Sequence, residues 1–175
     1  MINRKSILVV LAMGGVLLVA CQSKKEKLNT QIVETEKQVS ELYSTETLNQ
    51  LVMLYQRYAK EFPKDSLAVK YLFRSAEVNM RMKKGNEALT NLDIIIANYP
   101  DNKLVPVCYF MKGFVYEDVL YDIANAINAY YEFVAKFPRH ELAITASTTI
   151  FYLESGKTTD EIVASFKNSN SDTEE

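Results

Sequence analysis

The sequence predicts an all-α fold built from stacked helical hairpins. The dipeptides Phe62-Pro63, Tyr99-Pro100 and Phe137-Pro138 place prolines 37 and 38 residues apart, a period typical of repeated helical hairpins. Apolar residues before each proline recur at three-and-four spacing. The chain has no tryptophan, only 5 glycines and 4 prolines, but 11 tyrosines and 8 phenylalanines. This composition favours aromatic packing between helices over a turn-rich β-sandwich.

The helix before the first proline and the helix after it are predicted from their apolar stripes. The first stripe consists of Leu48, Leu51, Val52, Tyr55, Tyr58, Ala59 and Phe62. After Pro63, either Asp65 or Ser66 is the expected cap of the next helix. That helix should bury one side and break near Lys84-Gly85; the buried side carries Ala68, Leu72, Ser75 and Ala76.

The remaining helices follow the same pattern. The next stripe is Ala88, Leu89, Leu92, Ile95, Ile96 and Tyr99. Beyond Pro100, a helix is predicted from Val105 to Val119, through Tyr109, Phe110, Gly113 and Tyr116. Its return partner carries Ile123, Ala126, Ile127, Tyr130, Phe133, Val134 and Phe137. A last pair is predicted over Glu141–Leu153 and Thr159–Phe166, the second with Thr158 and Glu161 at capping-box spacing.

The start of the chain is typical of a secretory signal. Arg4 and Lys5 precede Ile7–Ala20, a run of 14 residues without a charge. As a helix the run would rise only about 21 Å, against a hydrocarbon core of about 30 Å. This run is too short to cross the hydrocarbon core readily, so residues 1–20 are interpreted as a signal peptide.

The end of this run resembles the lipobox of bacterial lipoproteins, in the sequence Leu18-Val19-Ala20-Cys21. The resemblance implies cleavage before Cys21, a diacylglycerol on its sulfur, and acylation, for example by palmitate, of its new amino group. Two or three acyl chains hold a protein on a membrane stably. Gln22 stands where enteric lipoproteins kept in the inner membrane carry aspartate, so the resemblance implies the outer membrane. The alternative is an ordinary signal peptide in which a cysteine follows Val-Ala.

Composition and motifs exclude several function classes. Without residues 1–20 the chain has 18 basic and 22 acidic residues, which argues against nucleic-acid binding. With Cys21 acylated, Cys108 has no disulfide partner and is interpreted as a small buried apolar residue, the alternative being a nucleophile. The single His140 cannot build a histidine metal site. Neither an enzyme nor a cofactor is predicted, because no phosphate loop, nucleophile elbow or zinc spacing occurs.

The segments around the repeats are predicted from their polarity and period. Residues 21–27 are expected to form a flexible tether, 28–167 the repeat domain and 168–175 a disordered acidic tail. In the first part of the repeat domain, an apolar rhythm of about two heptads runs through Leu28, Ile32, Thr35, Val39 and Leu42. The favoured interpretation is a first helix packed on Thr45–Glu61. The alternative is an oligomeric structural component assembled through Leu28–Leu42.

The hairpins resemble tetratricopeptide repeats. A small residue lies in the first helix of each pair (Ala76, Gly113), an alanine lies early in the second (Ala88, Ala126), and an aromatic–proline pair ends it. Small residues let two helices approach closely, and proline stops the helix so that the next hairpin begins. Phe151 departs from this pattern in the third unit, as expected of a capping pair. One extra residue also separates Gly113 from Ala126, compared with Ala76 to Ala88.

Within this class, the segment "VCYFMKGFVYEDVLYDIANAINAYYEFVAKFPRH" is similar to repeat lipoproteins of envelope assembly. These include the repeat lipoprotein of the β-barrel assembly machinery and the repeat protein that works with the Tol–Pal system. The resemblance covers Thr45 to Phe166. It implies a non-enzymatic scaffold in outer-membrane assembly or maintenance, whose partner is another envelope protein or peptide segment.

The tetratricopeptide resemblance also implies a binding surface. First helices line the concave face in that fold, which here assigns to it Phe73, Glu77, Met80, Arg81, Phe110, Phe114, Glu117 and Asp118. Such a groove binds an extended or helical peptide through aromatic anchors. The alternative is that these aromatic side chains only pack against neighbouring helices. Glu117 and Asp118 are not expected to act as paired catalytic carboxylates, since adjacent side chains on a helix point about 100° apart.

Overall fold

The computed structural model describes the backbone of residues 4–156 and the side chains of residues 23–156. Within this range the chain contains seven α-helices and no β-strand, which confirms the all-α prediction. The helices are α1 (Arg4–Glu41), α2 (Thr45–Glu61), α3 (Ser66–Arg81), α4 (Gly85–Asn98), α5 (Val105–Phe114), α6 (Ile123–Lys136) and α7 (Ala143–Ser155). None of the described helices has the length and hydropathy of a membrane span.

Three predictions lie outside the described residues. They are the helix Thr159–Phe166, the acidic tail 168–175 and the state of the Cys21 side chain. The chain divides into two compact units, Met1–Val78 and Asn79–Glu175. The boundary between them lies inside the range 28–167, which was predicted as one repeat domain. The division falls inside α3, whose last three residues belong to the second unit.

In the first unit, α1 packs along α2. The face of α1 that meets the unit's core buries Leu28, Ile32 and Thr35. This confirms the favoured interpretation of a helix packed on Thr45–Glu61. Oligomerisation through Leu28–Leu42 would have to use the same face of α1, on which Leu28, Ile32 and Thr35 are already buried within the chain. Leu42 lies one residue past the end of α1 and is 72% exposed.

Residues 23–27, inside α1, differ from the predicted flexible tether. Residues 23–27 are helical, and two lysines there form ion pairs with the end of α2 and the turn that follows it. Lys24 Nζ lies 3.3 Å from Glu61 Oε2, and Lys25 Nζ lies 3.0 Å from Asp65 Oδ2. Local polarity predicted disorder, but these partners are about forty residues away along the chain and fix the segment in place.

The N-terminal ends of α2 and α3 are each capped by the side chain of a residue that precedes the helix. Ser44 Oγ accepts a hydrogen bond from the Thr47 N–H at 3.1 Å, which satisfies a donor at the start of α2. Asp65 Oδ1 accepts the Leu67 N–H at 2.9 Å before α3 begins. Asp65, the first of the two candidate caps, therefore acts at this position. The predicted α3 stripe of Ala68, Leu72, Ser75 and Ala76 is buried.

In the second unit, α5 and α6 pack closely around Gly113. A Cβ atom at Gly113 would lie 2.5–2.8 Å from three ring carbons of Tyr130, which is far inside an ordinary contact distance. Tyr130 and Phe133 are 1% and 0% exposed and form a core with Ala126, Ala146 and Ile150. The predicted role of a small residue at position 113 is confirmed. Ile123, which was placed in the α6 stripe, is 41% exposed because it starts the helix outside this core.

The extra residue before Ala126 is accommodated by a π-helical segment, Val115–Val119, which continues α5. A π-helix closes its hydrogen bonds one residue later than an α-helix and commonly absorbs a one-residue insertion. The segment keeps Val115 and Val119 buried at 0% and 7% exposure. The Asp122 side chain then accepts the Asn125 N–H at 3.1 Å and caps α6. The predicted helix Val105–Val119 is present over its full range, in two geometries.

Candidate protein-binding surface

The structure distributes the eight predicted groove residues over both units. Phe73 and Glu77 belong to the first unit, Phe73 half-buried and Glu77 exposed. The six in the second unit are Met80, Arg81, Phe110, Phe114, Glu117 and Asp118. Of these six, Arg81, Phe114 and Asp118 are exposed, and the other three are half-buried.

Phe110 and Glu117 are brought together by Tyr130 of α6. The Phe110 ring lies 5.4 Å from the Tyr130 ring and 5.6 Å from the Phe133 ring. The Tyr130 hydroxyl donates a hydrogen bond of 2.8 Å to Glu117 Oε2. Burial, together with this hydrogen bond, raises the pKa of Tyr130 above its usual value. Both side chains thus have partners inside the unit, and Phe110 matches the alternative in which an aromatic residue packs against a neighbouring helix.

Phe114 and Asp118 point outward from the same stretch, about one helical turn apart. Phe114 is the last residue of α5 and is 37% exposed. Asp118 interacts with Lys83 in the loop between α3 and α4. Lys83 Nζ lies 3.5 Å from Asp118 Oδ2 and donates a hydrogen bond of 3.1 Å to the Asp118 carbonyl. This pair fixes the loop beside the π-helical segment and leaves the Phe114 ring accessible.

Tyr121 extends this surface and was not predicted from the sequence. It is 72% exposed, and Lys83 Nζ lies 5.8 Å from its ring centroid. Lys83 and Tyr121 are the two described non-glycine residues with positive φ, at 57° and 56°. A side chain in this left-handed region costs free energy that the surrounding structure must supply. The sequence signal was indirect: each residue lies shortly before the helix that follows Ala76 or Gly113 in its hairpin.

A concave surface lies in the first unit, between α1 and α2. It is a groove of about 440 Å³ lined by Gln31, Glu34, Thr35, Gln38, Gln50, Met53, Leu54 and Arg57. Met53 is 66% exposed at its edge. Six of the eight lining residues are polar or charged, whereas small-molecule sites are lined mostly by apolar side chains.

Cys108 and His140 both have the environments of residues that support the fold. Cys108 is 0% exposed, and burial raises the pKa of its thiol to about 12, so it stays protonated and matches the interpretation of a buried apolar residue. His140 Nδ1 accepts the Leu142 N–H at 3.2 Å, and its ring meets Phe133 edge-on at 5.6 Å. Within the described residues, no cluster of three or more histidine, cysteine, aspartate or glutamate side chains is arranged to bind a metal ion.

Comparison with known proteins identifies the repeat class. Residues 70–102 match the family described as tetratricopeptide repeat, a segment that begins in α3 and ends after α4. A search of curated proteins found no match to the chain. Tetratricopeptide repeats are typically non-enzymatic surfaces for protein–protein interaction. The match and the helical hairpins together show that this chain has an all-α, tetratricopeptide-like helical-repeat fold.

Proposed function

We propose that this chain is a lipid-anchored, non-enzymatic scaffold of the bacterial cell envelope. In this proposal it binds another envelope protein during outer-membrane assembly or maintenance. The observation that carries the binding function is the tetratricopeptide match within an all-helical fold. The anchor is supported by the order of charge, apolar run, small residue and cysteine that ends at Cys21.

The surface proposed to bind the partner is formed by Phe114, Asp118 and Tyr121. Two aromatic rings are exposed there, and aromatic side chains are frequent anchors of protein interfaces because they bury a large area at low cost in side-chain entropy. The Lys83–Asp118 pair holds the loop beside them. Phe110 and Glu117 support this surface from beneath through Tyr130 and are not themselves proposed to contact the partner.

Two exposed phenylalanines provide a matched test of this surface. Phe114 is 37% exposed, and Phe151, on α7, is 60% exposed and lies outside the predicted groove. Phe114→Ser should reduce recovery of the partner after crosslinking in intact cells, whereas Phe151→Ser should not. Circular dichroism checks that both variants remain folded. If the partner were recovered equally with both variants, Phe114 would not be part of the binding surface.

The anchor is tested separately by metabolic labelling with an alkyne fatty acid. The wild-type chain should incorporate the label and migrate with outer-membrane vesicles on a density gradient. Cys21→Ala should abolish both results, because the acceptor sulfur is gone. A labelled Cys21→Ala variant, or an unlabelled wild-type chain in the soluble fraction, would contradict the anchor.

A further inference from the structure

The docked part of α1 that follows Cys21 limits how far the first unit can move from the proposed anchor. Lys24 and Lys25 follow Cys21 by only three and four residues. Their ion pairs with Glu61 and Asp65 join α1 to the end of α2 and to the turn before α3. Four residues of extended chain reach at most about 14 Å, so this end of the unit cannot lie far from the acyl chains.

Further contacts along α1 prevent it from swinging away as a free helix. Leu28 and Ile32 are 3% and 0% exposed. Tyr71 donates a hydrogen bond to Asn29, and Tyr55 donates one of 2.6 Å to Glu36 Oε1. Arg74 of α3 also forms an ion pair with Glu36. These contacts extend over about two turns of α1, so detachment would expose buried apolar side chains and break several polar contacts at once.

The two ends of the first unit differ in charge. The end nearest Cys21 carries Lys60 at the close of α2 and Lys64 in the turn that follows, both exposed. The opposite end carries Glu41 and Glu46, also exposed, on either side of the turn between α1 and α2, and Lys37 Nζ lies 3.7 Å from Glu41 Oε1 there. Because lipid phosphates attract lysine side chains close to a membrane surface, this asymmetry favours the lysine end at the bilayer.

We infer that the first unit stands directly on the lipid headgroups, with the turn 62–65 against the membrane and the turn 42–44 directed away from it. This inference rests on the proposed acylation of Cys21. Along α1, the rise from Lys25 to Glu41 is about 24 Å, which sets the expected difference in height between the two turns. The partner of this face is the headgroup layer of the anchoring membrane.

Energy transfer to the bilayer tests this orientation in the full-length acylated protein. A donor dye is attached to Lys64→Cys or, in a second sample, to Tyr43→Cys, and lipid vesicles carry an acceptor at their surface. Cys108 is buried and should not react; the parent chain, treated with the same dye, verifies this. Transfer should be strong from position 64 and clearly weaker from position 43.

A matched variant separates docking from anchoring. Insertion of a flexible Gly-Ser segment after Gln22 retains the acylated cysteine but frees the unit, so transfer from the two positions should become similar. Equal transfer in the protein without the insertion would overturn the inference, even if the chain floats with the vesicles. A chain that is not acylated and does not float would overturn this inference and the proposed function together.

Discussion

Gly113→Ala tests the close approach of α5 and α6. A methyl group at this position would meet three ring carbons of Tyr130 at 2.5–2.8 Å, whereas carbon atoms in contact are normally about 3.5–4.0 Å apart. The ring would therefore have to move by about 1 Å. It has little room to do so, since it is 1% exposed, packs on Phe110 and donates a hydrogen bond to Glu117.

Two effects of this substitution oppose each other. Overpacking a well-filled core costs about 1–3 kcal/mol. Because the hydrogen-bonded ring of Tyr130 has little room to move, we expect the cost of Gly113→Ala to lie toward the upper end of this range. Alanine is better than glycine inside a helix by about 1 kcal/mol. The expected net loss of stability is about 2 kcal/mol, which corresponds to a decrease in Tm of about 4–8 °C for a chain of this size.

The assay is thermal and urea unfolding followed by circular dichroism. Tyr130→Leu removes the ring, so the double variant Gly113→Ala/Tyr130→Leu should be no less stable than Tyr130→Leu alone. Gly156→Ala is the control, because Gly156 has φ of 61° and no atom within 4 Å of the position of an added Cβ. Its effect should be independent of Tyr130. If Gly113→Ala were as stable as the parent, the close-packing argument would be refuted.

Three further predictions follow from single contacts. Tyr130→Phe removes the donor to Glu117 and should lower the free energy of unfolding by about 1–2 kcal/mol, measured by urea titration. The hydrogen bond from the Leu67 N–H holds the pKa of Asp65 below its usual range. This carboxylate therefore stabilises the fold above about pH 4, and its contribution should disappear on acidification. Asp65→Asn should flatten the acid side of a curve of Tm against pH. Cys108 should react with a maleimide only after unfolding, and rapid labelling of the native chain would disprove its burial.

The helical framework was predictable because its signals are local and periodic. The proline spacing and the apolar stripes located helices α2 to α7 to within a few residues, for example α7, predicted from Glu141 and observed from Ala143. The small residue at Gly113 also indicated a close helix contact before the ring of Tyr130 was known to fill it. These features depend on side-chain size and backbone preference, which follow directly from the identity of each residue.

Other features depend on partners that are distant in sequence. Residues 23–27 are polar and were predicted to be flexible, but Glu61 and Asp65 pair with their lysines and hold the helix. The extra residue between Gly113 and Ala126 was visible, although a loop or a π-helical segment would accommodate it equally well. The structure distinguishes these outcomes by the hydrogen bond of 3.0 Å that the Leu120 N–H donates to the Val115 carbonyl, five residues earlier.

The candidate surface was predictable only in part. The concave face of a repeat was assigned by helical register, which identified Phe114 and Asp118 as outward-facing but also included Phe110, whose ring packs on α6. Tyr121 was missed because it lies in the turn before α6, outside any helical stripe, with a left-handed φ of 56°. Such a turn is seldom predicted at tyrosine, since residues other than glycine, asparagine and aspartate rarely adopt it.

Photocrosslinking from position 114 in living cells tests the central claim most directly. A photoreactive phenylalanine analogue replaces Phe114 in the full-length chain, and the same analogue at Phe151 serves as the control. We predict a discrete adduct with one envelope protein from position 114, recovered in the membrane fraction and lost when Cys21→Ala releases the chain. The absence of an adduct, or identical adducts from both positions, would contradict a membrane-anchored scaffold that binds its partner through this surface.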